Sequence, residues 1–110
     1  MNTTAAITNK ETIWDAFVKA IGGKRIKRME AKSYFPEWES EHDVTPLCFD
    51  DVILMIDYDI VFSIYDLREI AIEFDIDSIE NLCINEVSAN HYAISFYEHD
   101  LFRWLLDITI

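Results

Sequence analysis

The sequence predicts an α+β fold: an N-terminal amphipathic helix, a small antiparallel sheet of about three to four strands, a further helix near 66–74 and a C-terminal helix. Three patterns carry that expectation. Residues 9–21 repeat their apolar side chains at helical spacing, residues 52–64 alternate with period two, and the short alternating runs 82–87 and 92–98 flank a polar turn.

A chain of 110 residues with 51% hydrophobic residues and 15 aromatics can bury one core. Divided in two, each half would fall near the size where disulfides or metals are usually needed. The reading is therefore one compact domain over 1–110, made of a basic helical segment 1–32 and an acidic α+β segment 33–110. The charge is unevenly placed. Residues 1–32 hold seven Lys/Arg and three Asp/Glu, whereas 33–110 hold two and eighteen, a net of +4 followed by −16.

The first helix starts with a capping box, Thr8-Asn9-Lys10-Glu11, in which the threonine hydroxyl and the Glu11 carboxylate cap opposite amides. Ile13, Trp14, Phe17, Ala20 and Ile21 form its apolar face, and Gly22-Gly23, the only glycines, suit its C-terminal cap. Lys24, Arg25, Lys27, Arg28 and Lys32 then read as a solvated basic helix end favoured by the dipole. A nucleic-acid patch is disfavoured there by the acidic remainder. A contact with that remainder, within the chain or in a homodimer, fits better. Residues 34–51 contain both prolines and read as a long irregular connection with one short helix after Pro36.

Ile56, Tyr58, Ile60, Phe62 and Ile64 alternate with Asp57, Asp59, Val61 and Ser63, so 52–64 reads as one strand. Residues 66–76 are ambiguous: Leu67, Ile70, Ala71 and Phe74 make a helical face, Ile70, Ile72, Phe74 and Ile76 a strand face, and helix is preferred. Ser88-Ala89-Asn90-His91 joins 82–87 to 92–98 as an antiparallel hairpin. Asp100 to Asp107 has a cap residue and helical apolar spacing, with 108–110 able to extend as a strand.

The residue types that carry chemistry are not assembled into a recognisable motif. Cys48 and Cys83 sit between apolar neighbours, read as reduced core thiols, and form no metal-ligand spacing. The Asp-x-Asp groups at 57/59 and 75/77 lack the central glycine of a calcium loop, and His42, His91 and His99 form no paired-ligand spacing. No nucleophile elbow or phosphate-binding glycine loop is present, so no cofactor, metal or catalytic residue is expected and the protein is read as a non-enzyme. The N-terminus shows no basic region followed by an apolar run, and no stretch approaches the ~18 uninterrupted apolar residues of a membrane span, so a cytoplasmic location is expected.

What remains is the geometry of negative charge. Alternate residues of a strand lie roughly 6.6 Å apart, about twice the ~3.4 Å rise per nucleotide of one DNA strand, so rows of carboxylates approximate phosphate spacing. The candidate partner-binding residues are Glu37, Glu39, Glu41 and Asp43 in the long connection, Asp50 and Asp51 before the strand, Asp57 and Asp59 on it, and Glu69, Glu73, Asp75, Asp77 and Glu80 after it. Trp38, set among three glutamates, reads either as an interface anchor ringed by charge or as a plug beneath the loop.

The expectation is a non-catalytic inhibitor that binds a basic nucleic-acid-binding protein or nuclease complex. Its acids would mimic nucleic acid in the way of phage anti-restriction or anti-CRISPR proteins, without binding nucleic acid or membrane itself. The alternatives are an immunity protein or antitoxin that neutralises a nuclease toxin, and a structural or adaptor domain whose acids only confer solubility.

Overall fold

The computed structural model describes residues 10–21, 24–56, 59–65 and 69–110. One helix, α1 (Lys10–Ile21), precedes seven strands: β1 (Ile26–Tyr34), β2 (Leu47–Ile56), β3 (Asp59–Ile64), β4 (Ile70–Asp75), β5 (Ile79–Ser88), β6 (His91–Glu98) and β7 (Phe102–Thr109). They form one antiparallel sheet in the order β4-β3-β2-β1-β7-β6-β5, so β1 is the central strand.

The two edge strands, β4 and β5, are consecutive in the chain and joined only by a 3-10 turn, Ile76–Ser78. In a flat sheet of this width the edges would lie about 29 Å apart, six spacings of ~4.8 Å. The four peptide steps from Asp75 to Ile79 reach at most about 14 Å. The sheet must therefore curl until its edges approach. Phe74 of β4 accordingly touches Phe96 of β6 and Trp104 of β7, each with ring centroids 4.9 Å apart. The apolar face of α1 fills the hollow, touching both β2 and β5, with Trp14, Phe17 and Ile21 buried.

Local irregularities shape the curl. The inward positions of β1 and β2 slip by one residue at the same level, from Ile26 to Met29 and from Phe49 to Val52, where Asp51 adopts a φ of 55°. A bulge interrupts the β5–β6 ladder between Glu80 and Cys83, where Asn81 has a φ of 54°. Asp and Asn tolerate the left-handed region better than other non-glycine residues, and such bulges increase local twist.

The fold class expected from sequence is thus overturned: the protein is mostly one large sheet with a single described α-helix. The basic run at 26–32 lies in β1, not at a helix end. Its neighbours on both sides, β2 and β7, satisfy its backbone, while Arg28, Glu30 and Lys32 face outward. The irregular connection ends sooner than expected, because Leu47 already pairs with Ala31. It does contain short turns, a turn at 36–38 and a 3-10 helix at Glu41–Asp43.

The strand expected over 52–64 is a hairpin, since Ile56 pairs with Ile60. The helix expected near 66–74 is replaced from Ile70 by β4, whose pairing with β3 decides between two periodicities that coincide over six residues. The C-terminal helix is β7, held between β1 and β6. The β5–β6 hairpin forms as expected, with Ser88 opposite His91. The capping residues Thr8 and Asn9, and the Gly22-Gly23 cap, lie outside the described residues.

Both cysteines are free and exposed, contrary to the core reading. Each occupies an outward position of its strand: apolar sequence neighbours point to the other face, so they say nothing about the burial of the residue between them.

Candidate functional site

The connection between β1 and β2 begins with one tight turn. Trp38 N and Glu39 N both donate to the Phe35 carbonyl, at 3.1 and 3.0 Å, and Glu39 Oε1 accepts from Phe35 N at 3.2 Å. Pro36 suits the second position of such a turn because its φ is fixed near the required value. The turn throws Trp38 outward. It is 78% exposed, so it does not plug the core, and its ring lies 4.9 Å from Phe35, which in turn stacks 4.2 Å from Phe102 at the start of β7.

Ser40 organises the next turn, accepting from His42 N and donating to Asp43 Oδ2, both at 3.3 Å. Lys32 Nζ donates to the Glu41 carbonyl at 3.4 Å, tying this turn to β1. Glu37, Trp38, Glu39, Glu41 and Asp43 are all exposed and so share one connection around a ring stack.

The β6–β7 hairpin extends this end of the molecule. His99 and Asp100 have φ of 54° and 58°, and Leu101 N donates to the Glu98 carbonyl at 3.0 Å, the geometry of a type I′ turn. His99 N donates to the Ser78 carbonyl at 2.8 Å, so the hairpin is also tied to the turn that carries Asp77. Asp75 caps that turn, accepting from Asp77 N at 2.9 Å. Asp100 and Leu101, the latter 59% exposed, therefore join the same end, although helical spacing had given them a cap and a core role. A Glu98-His99-Asp100-Leu101 turn between two alternating runs was the signal that could have found them.

The other candidates lie elsewhere. Arg25 Nε stands 3.8 Å from Asp51 Oδ1, and Asp50 pairs across the ladder with Arg28, so these two acids are partly offset by the basic segment. The backbone of Asp59 pairs with that of Asp75, and Glu73, exposed on β4, lies opposite Val61. Glu69 precedes β4 and its carbonyl accepts from Ile64 N at 2.7 Å, whereas Glu80 is opposite Tyr97 on β6. Asp57 lies outside the described residues.

Of the described side chains, Glu30 and Arg28 show the resolved electrostatic coupling. Their 2.9 Å hydrogen bond holds the Glu30 carboxyl below the usual carboxylate range and raises the Arg28 guanidinium further. Among the described residues no group of three or more His, Cys, Asp or Glu is arranged to hold a metal ion, and no helix is long and apolar enough to cross a membrane. No protein-family model, curated protein or solved structure matches the chain.

Proposed function

We propose that this protein is a non-catalytic inhibitor that binds a basic nucleic-acid-binding protein or nuclease through the end of the molecule around Trp38. The observation that supports it is Trp38 itself, 78% exposed on the Phe35–Phe102 stack and flanked by Glu37, Glu39, Glu41 and Asp43. A large aromatic anchored on others and ringed by charge has the makings of a binding hot spot, and a net charge of −12 would steer a basic partner toward it. In this reading the carboxylates occupy the partner's phosphate-binding residues, as in nucleic-acid mimics of the anti-restriction or anti-CRISPR kind.

A second reading is an immunity protein that neutralises one nuclease toxin. It is favoured by the concentration around Trp38 of acids that form no salt bridge among the described residues, with Asp50 and Asp51 drawn off by Arg28 and Arg25. Such a compact arrangement suits one tight interface more than a long phosphate track.

The test is capture from nuclease-treated host lysate at low and high salt, beside a variant with Glu37, Glu39, Glu41 and Asp43 changed to Lys. A retained basic nucleic-acid enzyme that DNA or RNA competes away, and that the variant fails to hold, supports the mimic. A single toxin-like nuclease supports immunity. Equal retention by both proteins, or nothing sensitive to salt, sinks both readings.

A further inference from the structure

A groove of about 400 Å³ lies on the outer face of the sheet, where β6 presents His91, Ala93, Ser95 and Tyr97 in alternate positions. Along β6 the order is large, small, small, large, and of these four Ala93 and Ser95 line the groove. At one end His91 Nε2 lies 2.7 Å from Asp107 Oδ1. At the other the Arg103 guanidinium stands 4.8 Å from the centroid of the Tyr97 ring. Leu105, opposite both Ser95 and Lys32, supplies an apolar wall.

The charges in this groove are not equally satisfied. Asp107 is paired with His91, and Glu30 with Arg28 at 2.9 Å. Neither Lys32 nor Arg103 forms a salt bridge among the described residues, although the chain holds 21 acids for 9 Lys/Arg; Glu30, two residues from Lys32 on the same strand, attracts it at longer range. They are diagonal neighbours on adjacent strands, roughly 7–8 Å apart at Cα, a spacing from which two long cationic side chains can converge on one group. Ser95 adds a hydroxyl donor. The volume falls within the range of small-ligand sites, which typically combine apolar walls with a few directed polar groups.

We propose that this groove is a binding site for a small organic ligand with one oxyanion group, a carboxylate or a phosphate. Lys32 and Arg103 bind the oxyanion, while its apolar body lies over Leu105 and Ala93. Glu30, Glu41 and Asp107, which also line the groove, limit the site to a single anionic group and bar a polyanion. The site borders the Trp38 surface, with which it shares Glu41, but does not depend on the function proposed for that surface.

The experiment is a titration of ¹⁵N-labelled protein, followed by amide shifts, with benzoate, phenyl phosphate, benzyl alcohol and benzylamine at matched ionic strength. Saturable shifts centred on Ala93, Ser95 and Arg103 with either anion, and none with the alcohol or the amine, support the site. The stronger anion identifies the oxyanion. Combining Lys32→Gln with Arg103→Gln then weakens that anion by about tenfold or more, in a spectrum that retains native dispersion. Binding of the alcohol as strong as that of the anions, preference for the amine, or no shift at these amides with any probe would overturn the proposal.

Discussion

The Phe74 ring of β4 meets the Phe96 ring of β6 edge to face, with an interplanar angle of 86°, although four strands lie between them in the sheet. This contact spans the hollow of the curled sheet rather than the ladder. Phe74→Ala should therefore cost about 3–5 kcal/mol in chemical denaturation, the range for truncating a buried aromatic. Ile70→Ala on the same strand, 58% exposed, should change stability by no more than about 0.5 kcal/mol. Similar losses at both positions would mean that β4 does not close the core.

Trp14 is fully buried beneath the sheet, and its Nε1 finds no hydrogen-bond partner among the described residues. A buried unsatisfied donor costs about 1–3 kcal/mol, which opposes the gain from burying the indole. Trp14→Phe gives up packing but removes that penalty. The expected outcome is a loss for Trp14→Phe below about 1.5 kcal/mol, against about 3–5 kcal/mol for Trp14→Ala, measured by urea denaturation.

The elements that could be read from sequence are those whose two faces differ in polarity. The first helix is marked by Trp14, Phe17 and Ile21 on one side and Asp15 and Lys19 on the other, and the β5–β6 hairpin by its polar turn. β7 was hidden because Leu105 puts an apolar residue on the outer face. The inward row Phe102, Trp104, Leu106, Ile108 therefore competes with a helical spacing. β1 was hidden because its inward apolar side chains from 29 onward are only Met29 and Ala31, while its outward Arg28, Glu30 and Lys32 resemble a solvated tail. The acids around Trp38 were legible as a cluster along the chain. Their junction with Asp100 and Leu101 was not, because it arises from the Phe35–Phe102 contact, between residues 67 positions apart. The groove on β6 was equally invisible, since it depends on which strands flank Ala93 and Ser95.

Glu30 titrates below the ordinary carboxylate range mainly because it accepts the Arg28 hydrogen bond. A depressed folded pKa means that the pair contributes stability above the unfolded pKa of Glu30 and loses it as pH falls through the folded value. Following the Glu30 carboxyl carbon by NMR across acidic pH, Arg28→Gln should move its midpoint upward toward that of an ordinary glutamate. An unchanged midpoint would show that the contact does not persist in solution.

At a net charge of −12, self-repulsion opposes the compact state. Salt also weakens surface ion pairs such as Arg25–Asp51 at 3.8 Å and Arg28–Glu30 at 2.9 Å, but pairs of that kind contribute only about 0–1 kcal/mol. Relief of the net repulsion should prevail. The urea midpoint is expected to rise when NaCl is increased from low to moderate ionic strength, and a falling midpoint would show that the local pairs outweigh it.

Trp38 separates binding from folding most cleanly, because its ring lies against Phe35 and is 78% exposed. Trp38→Ala should leave the denaturation midpoint nearly unchanged, within about 0.5 kcal/mol. Against a captured basic partner it should raise the dissociation rate and weaken affinity by at least about tenfold, equivalent to ~1.4 kcal/mol. Replacing Glu37 and Glu39 with Gln should instead lower the association rate, with an effect that shrinks as salt is added, because rim charges act mainly by steering. If Trp38→Ala binds as well as the parent protein while the glutamine variant loses affinity, the aromatic is not an anchor, and the interface is purely electrostatic.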